Sequence, residues 1–126
     1  MNVKTTTLVR EACAYARAEG LQLIRGGAWF EWNDHMIIAT DPIGAVIFKA
    51  RALPDGLDPK HPETMRAPGL ISIAKALLGV DHFWLYRFWM GFDRGFQIKI
   101  VNEDESETKD DVSEFGIALA RELFRE

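Results

Sequence analysis

Four residues in the ten-residue stretch PDGLDPKHPE carry side chains that bind divalent metals: Asp55, Asp58, His61 and Glu63. Carboxylate oxygens suit hard cations and a neutral imidazole suits zinc and its neighbours. The spacing is that of no diagnostic metal motif, and no matching second ligand group stands elsewhere in the chain, so the same residues also read as a solvated acidic loop. Acid/base or metal-assisted catalysis through Asp55, Asp58 and His61 is the enzyme reading. Apart from these residues, nothing points to a cofactor.

Other candidate chemistry is thinner. His35 and His82 each follow an aspartate, Asp34 and Asp81, at expected strand starts. Neighbours on a strand point to opposite faces, so turn chemistry accounts for these pairs better than a catalytic dyad does. Cys13, the single cysteine, falls on the apolar side of an expected helix, the position of a core thiol. No serine sits in a Gly-x-Ser-x-Gly context, and there is neither a phosphate loop nor a dinucleotide fingerprint. RGFQIKI, residues 94–100, begins like the RNA-stacking strand of an RRM domain, but Ile98 stands where the second aromatic belongs. Single-stranded nucleic acid stacking on the neighbouring rings is therefore an alternative. The net charge of −4 gives it no general electrostatic support.

The densest feature is aromatic. DHFWLYRFWMGFDRGF, residues 81–96, holds seven of the fourteen rings in the chain. Read as a strand, it places Trp84, Tyr86, Phe88 and Met90 on one face and Phe83, Leu85, Arg87 and Trp89 on the other, both largely apolar. A hairpin at Gly91 to Gly95 then leads into FQIKIV. One sheet face is core; the second is expected to combine Trp29, Ile47, Phe83, Leu85, Arg87, Trp89 and Lys99. Large exposed apolar patches mark interaction sites, and Trp and Arg are enriched at their centres, so Trp89 and Arg87 are the expected anchors. The occupant is a loop or helix of the same chain, a second copy, or a foreign partner.

The elements that would position these residues follow from periodicity. A first helix from Thr7 to about Glu19 ends at Gly20. GAWFEW, HMIIAT and GAVIFKAR read as three antiparallel strands separated by Asn33-Asp34 and by Asp41-Pro42-Ile43-Gly44. ALPDGLDPKHPETMRAP, with four prolines, is a long loop. Pro68 opens a second helix carrying Leu70, Ile73, Ala74, Leu77 and Leu78, stopped by Gly79. After the hairpin, the acidic run NEDESETKDD is a solvated loop. Asp111 and Glu114 resemble a capping box for a last helix with Val112, Phe115, Leu119, Ala120 and Leu123 buried.

The expected fold is α+β, an antiparallel sheet of about five strands with three helices in the order α-β-β-β-α-β-β-α, in one domain over residues 1–126. That order, with the acidic balance and the length, resembles the small dimeric chaperones of bacterial type III secretion. The resemblance implies a dimer that binds a partner protein. At 126 residues, 48% apolar and 27% charged, the composition is that of a globular chain. No apolar run approaches the roughly 20 residues of a membrane helix, and residues 1–20 read as an amphipathic helix rather than a signal peptide. The expectation is a non-catalytic cytoplasmic protein that binds itself or another protein, with no membrane role.

Overall fold

The computed structural model describes residues 3–24, 30–34, 36–53, 68–96 and 110–124. Its elements run α1 (Val3–Ala18), β1 (Gln22–Leu23), β2 (Phe30–Asn33), β3 (Met36–Thr40), α2 (Pro42–Lys49), α3 (Pro68–Leu78), α4 (His82–Phe96) and α5 (Asp111–Phe124). The fold is α+β, but among the described residues five helices and a three-stranded mixed sheet replace the expected three helices and about five antiparallel strands. The sheet order is β1-β3-β2, with β1 parallel and β2 antiparallel to β3. The order behind the resemblance to secretion chaperones is thus not formed. Contacts gather into two compact units, Asn2–Gly79 and Val80–Glu126.

In the first unit, α1 buries Thr5, Val9, Ala12, Cys13 and Ala16. Gly20 (φ 86°) ends it in a Schellman arrangement, with Leu21 N–H on the Ala16 carbonyl at 2.9 Å and Gly20 N–H on that of Arg17 at 3.0 Å. The expected strand GAVIFKAR is instead α2, and its start explains why. Asp41 Oδ1 accepts from Gly44 N–H at 2.8 Å, and Pro42 occupies the first helical position, where its missing N–H costs nothing. Pro42 through Ile47 are all buried. A continuous apolar run looks alike in a buried strand and a buried helix, so only the cap distinguished them. α3 forms over the expected residues, buries Leu70, Ala74 and Leu78, and stops at Gly79 (φ 67°). The buried Thr5 hydroxyl donates to the Leu78 carbonyl at 3.1 Å, satisfying a helix-end acceptor.

The second unit packs α4 against α5 with the two helices running in the same direction, Arg87 and Gly91 lying beside Ser113 and Gly95 beside Ile117 and Ala120. The aromatic stretch is one 15-residue helix that runs through Gly91 and Gly95 without a turn. Asp81 caps it, accepting from Trp84 N–H at 2.8 Å. Leu85, Phe88 and Phe92 are buried at spacings of three and four, a helical rather than a strand period. The glycines serve close approach. A Cβ on Gly91 would collide with the Ser113 backbone, one on Gly95 would lie 2.6 Å from Ala120 Cβ, and one on Gly116 would lie 2.5 Å from the Phe88 carbonyl oxygen. Rings fill the rest: Phe88 stacks on Trp84 (5.6 Å, 4°) and tilts against Phe92 and Phe115, and Phe92 meets Phe124 edge-on. At α5 the cap is Asp110, one residue before the expected Asp111: its Oδ1 accepts from Ser113 N–H at 2.9 Å.

Candidate functional site

Because α4 turns 100° per residue, its apolar side chains divide between two sides. The inner side is occupied by α5. The outer side leaves Phe83 58%, Tyr86 55% and Met90 39% exposed, and these three stand at i, i+3 and i+7, one stripe along two turns. Exposure of three large side chains in register is the feature that sets this face apart from scattered surface apolar residues.

Arg87 organises one edge of the stripe. Its guanidinium carbon lies 4.6 Å from the centroid of the Phe83 ring, a cation–π geometry, while Nη1 donates to Asp110 Oδ2 at 3.1 Å. Asp110 also accepts from the Ser113 hydroxyl at 2.8 Å. Burial pushes the Asp110 carboxyl up, but the Ser113 N–H and hydroxyl and the Arg87 charge outweigh it, and the net shift is downward. One carboxylate therefore caps α5 and holds the arginine that lies over Phe83.

The described members of the expected interaction face differ in burial. In a helix Phe83, Leu85, Arg87 and Trp89 alternate between sides. Leu85 is fully buried, Trp89 is half-buried, and only Phe83 and Arg87 join the outer stripe. Ile47 is fully buried in α2. Trp29 and Lys99 lie outside the described residues, as do His35, most of FQIKIV and the loop residues Asp55, Asp58, His61 and Glu63. Tyr86 and Met90 were assigned to the opposite face; the helical spacing of Leu85, Phe88 and Phe92 and the capping Asp81 are the signals that place them correctly.

Elsewhere, Cys13 is buried, and burial first and the Asp41 charge second push its thiol up to about 12. Asp81 is engaged in capping α4 rather than paired with His82 as a dyad. Among the described residues no group of three or more His, Cys, Asp or Glu side chains could hold a metal, and no helix is long and apolar enough to cross a membrane. No protein-family model, curated protein or solved structure matches this chain.

Proposed function

We propose that this chain is a non-catalytic, cytoplasmic interaction domain that pairs with a second copy of itself through the outer side of α4. The observation that carries the reading is the exposed stripe of Phe83, Tyr86 and Met90 on a helix whose other side is already spent on α5. A two-fold interface brings the same patch from each copy together, so a single apolar stripe supplies both halves and no second surface is required. Arg87, braced by Asp110 and lying over Phe83, is the polar anchor at its edge.

Magnitude sets the expected strength. Three partly exposed side chains per copy contribute on the order of a few kcal/mol of burial, much of it offset by lost rigid-body freedom. The dimer is therefore expected to form with micromolar or weaker affinity. Light scattering after size-exclusion chromatography, across concentrations from micromolar to millimolar, tests this. The expected result is a mass that rises from one chain toward two, and that stays at one chain for Phe83→Ser and Met90→Ser, substitutions on the exposed side that leave the packing of α4 on α5 intact. A monomer at every concentration overturns the proposal.

A further inference from the structure

Within the first unit, α1, α2 and α3 border a half-open pocket of about 100 Å³ lined by Leu8, Ala12, Val46, Lys49, Ala50 and Leu77. Ala12 and Ala50 present small side chains to it, and Leu8, Val46 and Leu77 form apolar walls. Leu77, expected in the core stripe of its helix, is instead 36% exposed here. Lys49 lines the pocket and is exposed, the arrangement in which a methylene stem covers apolar surface and the ammonium reaches water. The α2 carbonyls of Val46, Ile47 and Phe48 accept from the N–H groups of Ala50, Ala52 and Arg51 at 3.1 Å, so those helix-end acceptors are already satisfied. Among the described residues Lys49 has no carboxylate partner.

We propose that this pocket binds the apolar end of a small carboxylate, with Lys49 pairing with the acid group at its rim. Size restricts the ligand. Drug-sized and cofactor sites occupy roughly 300 Å³ or more, and an apolar cavity of about 150 Å³ accepts a benzene, so this pocket holds a chain of a few carbons and leaves the head group outside. The apolar lining selects the tail and the single cation selects the sign of the head.

Titration of the isotopically labelled chain with hexanoate, hexanol and hexylamine, followed by amide NMR, tests the site. Hexanoate is expected to give saturating shifts at Ala12, Val46, Ala50 and Leu77, at least tenfold tighter than hexylamine. Lys49→Glu, on the surface, is expected to reverse that order. Ala50→Leu, which fills the void from an exposed position, is expected to abolish saturable shifts while the spectrum stays dispersed. Shifts that never saturate with hexanoate, equal affinities for acid and amine, or unchanged hexanoate binding in Lys49→Glu each overturn the proposal.

Discussion

Arg87 and Asp110 meet at 3.1 Å across 23 residues of chain, and their contact ties the stability of α5 to the arrangement of the exposed side of α4. The carboxylate is shared: one oxygen takes the Ser113 N–H at the start of α5, the other takes the Ser113 hydroxyl and the guanidinium. An exposed ion pair alone is worth about 0–1 kcal/mol, whereas a helix cap is worth about 1 kcal/mol. The cap is thus the larger part, and the ion pair chiefly orients Arg87 over Phe83.

Substitution at Asp110 separates the two parts. Asp110→Asn keeps a side-chain oxygen for the cap and loses the charge, so it should cost well under 1 kcal/mol; Asp110→Ala loses both and should cost about 1–2 kcal/mol in denaturant unfolding. The carboxyl is held below its ordinary value of 3.8 in the folded chain, so its stabilisation is present above that value and is lost as pH falls through the lower folded one. Wild type should accordingly lose more stability than Asp110→Asn on acidification below about pH 4. Parallel acid profiles for the two proteins would refute this assignment.

Gly91 gives a test whose sign opposes helix propensity. Alanine is favoured over glycine inside a helix by about 1 kcal/mol, but a Cβ at this position runs into the Ser113 backbone, which cannot yield as a flexible side chain would. Overpacking against backbone costs about 3 kcal/mol or more, so Gly91→Ala should destabilise the chain by about 2 kcal/mol net. Gly79→Ala, where nothing lies within 4 Å, should cost only the roughly 1 kcal/mol of a left-handed residue. Thermal or urea unfolding of the two variants would show the order, and a stabilised Gly91→Ala would disprove the close crossing.

What could be read before folding depended on punctuation. α1, α3 and α5 were legible because polar residues interrupt their apolar stripes and because Gly20, Pro68 and Gly79 mark their ends. β2 and β3 were legible through the Asn33-Asp34 turn, where Asp34 takes a positive φ of 56°. α2 was misread because it is apolar on nearly every side, and a segment with no polar face satisfies a period of 2 as well as one of 3.6; α4 was misread because Phe83, Tyr86 and Met90 interrupt the polar side on which His82, Arg87, Asp93 and Arg94 lie. Asp41-Pro42 and Asp81, both caps, carried the deciding information. Gly91 and Gly95 were read as a turn because a sequence shows that glycine is needed, not whether conformation or close approach needs it. For the candidate site, Phe83 and Arg87 survive the change from strand to helix and Leu85 does not, since a two-residue step on a helix crosses to the other side.

Arg51 repeats the geometry of Gly20 with the wrong residue. It sits at φ 54° after α2, with its N–H on the Phe48 carbonyl and the Ala52 N–H on that of Ile47, the same pair of bonds that ends α1. A left-handed L-residue costs about 1–2 kcal/mol, and glycine returns part of that gain through its freer unfolded chain. Arg51→Gly should therefore stabilise the protein by about 0.5–1 kcal/mol, read as a rise in unfolding midpoint with unchanged denaturant slope. A lowered midpoint would show that the arginine side chain contributes more than its backbone strain removes.

Cys13 should behave as a core residue that becomes a liability in alkali. With the thiol pushed up to about 12, the native protein should resist thiol reagents at pH 8 and react only through opening or unfolding, at rates that rise with denaturant. Below the ordinary value of 9.0 both states hold the proton and the group adds no pH dependence. Between 9 and about 12 the unfolded chain releases a proton that the folded chain keeps, so stability falls as pH rises, by up to about 1.4 kcal/mol per unit from this group. Lysines and tyrosines titrate in the same window, so the comparison is with Cys13→Ala, which is less stable at neutral pH because it leaves a small cavity but should lose stability more slowly above pH 9. Equal slopes for the two proteins, or native-state labelling as fast as labelling of the unfolded chain, would show that the thiol is open to solvent and that α1 does not bury the side on which Val9, Ala12 and Ala16 lie.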